Sequence, residues 1–98
     1  MFNWFRKILK YWKESGDNWQ YICGQILRDG KYQNDCVERS ILLSNKMKEA
    51  KVTHEQVHGT YKGQAHMWIE KDGVIYDPSQ YDDNPRYYAV TKRVTVWV

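Results

Sequence analysis

The stretch QAHMWIEKDGVIYDPS, residues 64–79, decides how this chain is read. Two alternating runs flank Asp72-Gly73, and a two-residue type I′ turn needs positive φ at both central positions, which Asp and Gly tolerate. A hairpin on that turn pairs Lys71 with Val74, Glu70 with Ile75, Ile69 with Tyr76 and Trp68 with Asp77. Period-two alternation then puts His66 and Trp68 on one face. Asp77 becomes a diagonal neighbour of His66, about 7–8 Å away between backbones, a gap that the two side chains can bridge. An imidazole held by a carboxylate keeps one tautomer and can take the proton of a nearby nucleophile.

Upstream, Asp35 with Glu38 three residues on forms a capping-box-like start, and Val37, Ile41, Leu42 or Leu43, Met47 and Ala50 follow at helical spacing. Cys36 therefore falls in the first turn of a helix, where unpaired backbone N–H groups and the positive end of the dipole favour negative charge. An earlier helix is expected over Asn18 to Arg28, capped by Asp17, with Trp19, Ile22, Cys23, Ile26 and Leu27 on its apolar stripe. Cys23, mid-helix on that stripe, reads as a small buried hydrophobe. A further amphipathic helix is expected over Met1 to Glu14, docking Phe2, Phe5, Ile8, Leu9 and Trp12 on the core; contact with a membrane surface through 1–14 is the other reading of that stripe.

From Val52 onward the character is that of strands: Val52 to Tyr61, Gln64 to Glu70, Val74 to Asp77 and Arg86 to Val98. Helices first and strands afterwards indicate α+β, with N-terminal helices packed on an antiparallel sheet. With 98 residues, no repeats and no Pro/Gly/Ser linker, the chain reads as a single domain over 1–98.

The net charge of +3 is mild and the basic residues are interspersed with acids, so no nucleic-acid footprint stands out. There is no apolar run of the ~18 residues a membrane span needs and no secretory h-region, which leads to the expectation of a cytoplasmic protein. Two cysteines without a C-x-x-C pair are too few for a metal ribbon. His54 and His58 would share a strand face, read as solvated rather than metal-binding, so neither metal nor cofactor is expected.

Asp35-Cys36-Val37-Glu38, then Val57-His58-Gly59, then His66-Met67-Trp68-Ile69-Glu70, then Gly73-Val74-Ile75-Tyr76-Asp77-Pro78-Ser79 resemble the transglutaminase-like core of the papain-like cysteine hydrolases, as a small bacterial or phage member would. The pattern is a helix-starting Cys, a His in H-x-W-(aliphatic)-E and an Asp before Pro after a Gly-containing turn, over about 33–79. The resemblance implies Cys36 as nucleophile, His66 as base and then acid, and Asp77 as the orienter of His66. It also implies an acyl-enzyme formed at an amide of a peptide, protein or small molecule, resolved by water or an amine. The oxyanion would meet the Cys36 N–H and a second donor, with Gln33, Gln20 and Trp19 as candidates, while Trp68 and Tyr76 wall the site. The other reading is a non-catalytic peptide-binding or inhibitory module of phage or mobile-element origin on the same fold, suggested by the short chain and sparse loops.

Overall fold

The computed structural model describes residues 16–29 and 35–98; the helix expected over 1–14 and the oxyanion candidate Gln33 lie outside the described residues. Two helices, α1 (Gly16–Arg28) and α2 (Cys36–Glu49), pack on a four-stranded antiparallel sheet of β1 (His54–Tyr61), β2 (Gln64–Lys71), β3 (Val74–Tyr76) and β4 (Tyr88–Val96), in the order β3-β2-β1-β4. The architecture is α+β. None of the described helices is long and apolar enough to cross a membrane. Helix α1 begins at Gly16, so Asp17 sits inside its first turn rather than at its cap.

Two tight hairpins build the sheet. Asp72 and Gly73 take φ of 53° and 77°, and Lys62 and Gly63 take 50° and 80°, the paired positive values of a type I′ turn. The first turn sets the pairs Lys71–Val74, Glu70–Ile75 and Ile69–Tyr76 as expected. The ladder stops there: β3 ends at Tyr76, so Trp68 and Asp77 are not paired, and Pro78 has no N–H to continue it.

Alternation gives the sheet two different faces. One carries Met67 and Ile69 of β2 and is covered by the helices; Trp19, Cys23 and Ile26 of α1, Leu43 and Met47 of α2, Val52, Ile69 and Tyr76 form the core. Tyr76 is 2 % exposed within that core. Pairing with Ile69 turns it toward the helices, which corrects the expectation that it walls the site. The opposite face carries Val57 and Tyr61 of β1, His66, Trp68 and Glu70 of β2, and Tyr88 and Arg93 of β4. A register shift between His58 and Gly59 where β1 meets β4 sets Tyr88 opposite Tyr61. Gly59 is required at this shift, because a Cβ there would lie 1.9 Å from the Ala89 carbonyl oxygen.

His54 corrects another expectation. It is buried, not solvated, because α2 covers its side of β1. Ser44 Oγ accepts from Gln56 Nε2 at 3.0 Å and lies 2.6 Å from His54 Nε2, while His54 Nδ1 is 2.9 Å from the Val52 carbonyl. With the Gln56 donor occupying one side of the hydroxyl, the serine proton goes to Nε2 and the ring proton on Nδ1 goes to Val52. The ring is thus held neutral. Burial pushes its pKa below the ordinary 6.5, nearby Lys48 adds to the lowering, and the Val52 carbonyl opposes it. A depressed value means the unfolded chain takes up this proton first as pH falls. The stability His54 contributes is therefore complete above about pH 6.5 and lost as pH drops through the folded value. Urea titrations of wild type and His54→Gln from about pH 7.5 to about pH 5 should show wild type losing stability more steeply; parallel slopes would exclude this role.

Candidate active site

The site is built where α2 meets the open side of β2. Asp35 caps α2 with its Oδ1, accepting from the Glu38 N–H at 3.0 Å, and this fixes Cys36 as the first helical residue. Because β3 ends opposite Ile69, the Met67 carbonyl has no strand partner on that side. Ser40 Oγ donates to it at 2.9 Å and brings the first turns of α2 against this edge. Cys36 is one turn before Ser40, so the start of α2 comes to the same edge of β2 as His66, although His66 projects from the sheet face that the helices leave uncovered.

Two hollows share this spot. One, of about 280 Å³, is lined by Asp35, Cys36, Arg39, Ala65, His66, Ser79 and Gln80. The other, of about 260 Å³, is lined by Cys36, Val37, His58, Gly59, Ala65, His66 and Met67. Cys36, Ala65 and His66 border both, so these residues stand between a polar and a more apolar cleft. No hydrogen bond joins the two side chains among the described residues; such contacts are often long before substrate binds. A larger hollow of about 470 Å³ beside Lys51–Thr53 and Lys71–Asp72 is lined by neither cysteine nor histidine among the described residues.

His66 is firmly held. Its Nε2 lies 2.7 Å from Asp77 Oδ2, and the same oxygen accepts from the Tyr88 hydroxyl at 2.8 Å. Asp77 Oδ1 accepts from the Ser79 N–H at 2.9 Å. The Tyr88 hydroxyl and the Ser79 N–H both donate to this carboxylate, which is only 3 % exposed and serves as an acceptor, so an Nε2 facing it carries the ring proton and a neutral His66 keeps the Nδ1 lone pair free. Burial pushes the Tyr88 hydroxyl far above its usual range, and the Asp77 charge adds to this, so Tyr88 stays a donor.

Behind the ring, Trp68 stacks at 6.0 Å and 20°. Its Nε1 donates to Glu70 Oε2 at 2.8 Å, and Arg93 donates to Glu70 Oε1 at 2.7 Å. That hydrogen bond is the main reason the Arg93 pKa is raised. A chain from β4 through Glu70 and Trp68 thus backs His66.

The two thiols are both free but unlike. Cys23 is buried in the core; desolvation first, then the charges of Asp77 and Asp83, push it far up and keep it protonated. Cys36 is partly exposed at the clefts.

The other sequence candidates fall elsewhere. Trp19 is 1 % exposed in the core and borders neither cleft, because the apolar stripe of α1 faces inward. Gln20 spends its amide on the Ile75 carbonyl at 3.2 Å, fastening α1 to β3 rather than reaching the clefts. Sequence reasoning missed Tyr88 and Arg39. Tyr88 carried no local signal, since its place depends on the register shift between β1 and β4. Arg39 did carry one, three residues after Cys36 on the same side of α2. No family model, curated protein or solved structure matches this chain.

Proposed function

We propose that this protein is a cysteine-dependent acyl-transfer enzyme, a hydrolase or acyltransferase acting on an amide through an acyl-enzyme on Cys36. The observation that carries the reading is the 2.7 Å contact between His66 Nε2 and Asp77, which leaves Nδ1 as the ring's free base on an imidazole that shares both clefts with Cys36. The order of a helix-starting Cys, a His on β2 and an Asp directly after β3 of an antiparallel sheet supports a transglutaminase-like core of the papain-like kind.

In this mechanism His66 Nδ1 takes the Cys36 proton and the sulfur attacks the amide carbonyl. The first-turn amides of α2 at Cys36 and Val37, which have no carbonyl four residues back within the helix, receive the oxyanion. The C–N bond breaks as the imidazolium gives its proton to the departing amine. Water or a second amine then attacks the thioester, losing its proton to His66, and the thiol is restored when the sulfur leaves. Asp77 holds the imidazolium throughout. The partner is a peptide, protein or amide-bearing small molecule.

Turnover of p-nitrophenyl acetate tests the reading. Wild type should show a burst of nitrophenol and an acetyl group on Cys36 by peptide mass spectrometry. Cys36→Ala should abolish the burst, and His66→Ala should slow it by roughly 10²–10⁴-fold. Acetylation found only on lysines, with no burst, would sink the reading.

A further inference from the structure

Two residues that line the polar cleft each hold a buried polar atom with no hydrogen-bond partner among the described residues. Arg39 is 7 % exposed, and its Nε has no hydrogen-bond partner. Ser79 Oγ is likewise buried without a partner. Both residues line the hollow of about 280 Å³ that also holds Cys36 and His66. Burying a guanidinium without an acceptor is unfavourable, and nearly all buried polar groups are paired. Two such residues lining one cleft, beside a candidate nucleophile, describe a receptor for an acceptor group supplied from outside.

We propose that Arg39 and Ser79 form a carboxylate subsite next to Cys36, so that the amide attacked belongs to a substrate with a free carboxylate near the scissile carbonyl. The substrate half of this statement rests on the reading of Cys36 as a nucleophile; the subsite rests on Arg39 and Ser79 alone. Arg39 is three residues after Cys36 on α2, so their Cβ atoms lie about 5–6 Å apart. A guanidinium presents Nε and one Nη as a planar fork matched to two carboxylate oxygens. The Ser79 hydroxyl adds a third donor, and its backbone N–H is already committed to Asp77, which holds the loop in place. Asp35 borders the same cleft, but its carboxylate caps α2, and no ion pair links it to Arg39 among the described residues. The cleft is thus a cationic fork with a hydroxyl, flanked by neutral Gln80 and by an imidazole that becomes cationic during the reaction.

The test compares alkylation of Cys36 by iodoacetate and by iodoacetamide, quantified by peptide mass spectrometry so that Cys23 is counted separately. The iodoacetate-to-iodoacetamide rate ratio should exceed that of free cysteine. It should fall about tenfold in Arg39→Gln and about threefold in Ser79→Ala, the loss of charge-assisted and of hydroxyl hydrogen bonds. Should Arg39→Gln fail to fold, Ser79→Ala and competition by sodium acetate on wild type decide the matter. A ratio equal to that of free cysteine, or a preference surviving these substitutions and unaffected by acetate, overturns the subsite. The nucleophile reading is scored apart from this, by the iodoacetamide rate alone. N-acetylglycine and N-acetylaspartic acid α-amide, added as competitors, tell an α-carboxylate from a side-chain carboxylate by which of them slows iodoacetate more.

Discussion

Asp77→Asn is expected to leave the fold standing and to slow acylation of Cys36 by on the order of 10³–10⁴, the scale of the same tautomer change in a serine triad. Oδ1 of Asp77 accepts from the Ser79 N–H, while Oδ2 accepts from both His66 Nε2 and Tyr88. An asparagine places its carbonyl oxygen toward Ser79, the partner that can only donate. Its NH₂ then faces His66 and Tyr88, both of which can turn to accept. His66 answers by moving its proton to Nδ1, and the nitrogen needed as base is now protonated. Stopped-flow bursts with p-nitrophenyl acetate would measure the rate, and ¹⁵N shifts of the ring would report the tautomer directly. Activity within about tenfold of wild type, with the ring still protonated at Nε2, contradicts the assignment of Asp77 as the orienter.

Trp68→Ala is expected to be the most destabilising change on the sheet, by about 3–5 kcal/mol. Trp68 is fully buried, stacked behind His66 and edge-on to Tyr88 at 4.8 Å. Its removal leaves a cavity and takes one donor from Glu70, a carboxylate 6 % exposed whose other oxygen is bonded to Arg93. A domain of this size holds roughly 5–15 kcal/mol in all, so the variant should sit near the edge of folding. The midpoint of urea unfolding measures this, and a loss below about 1.5 kcal/mol would mean the neighbours close over the gap. Trp68→Phe, which keeps an aromatic face and loses only the Nε1–H bond, should recover more than half of the difference.

Much of this arrangement could be read from local chemistry. Asp72-Gly73 needs positive φ and takes it; Asp35 caps the helix that carries Cys36; Cys23 falls on an apolar stripe and is buried. Each depends only on neighbours in sequence. What depended on distant partners was misread. His54 looked like a residue on a solvated strand, but the Ser44 hydroxyl on α2 and the Val52 carbonyl just before β1 give it the partners that make burial tolerable. Tyr76 reads from the sequence as a wall of the site, whereas pairing with Ile69 turns it to the core. Trp19 and Gln20 were offered to the site because they precede Cys36 in the chain, but α1 directs one inward and the other to β3. Tyr88 was invisible because a register shift between two strands has no signature in either of them.

The hydroxyl of Tyr88 on Asp77 makes the order of assembly matter. The two hairpins that carry His66 and Asp77 are local and can close in microseconds, but β4 must return across the sheet to pair with β1 before Tyr88 arrives. Pairings that span so much chain are the slow part of folding. A chain with its hairpins formed and β4 still undocked holds an imidazole and a carboxylate without the third donor that fixes their geometry. The thiol is present from the start, whereas the group that would activate it reaches its final pose only when the last strand is in place. On the role proposed for Cys36, a polypeptide whose base is seated last is kept from attacking its own unfolded backbone on the way there.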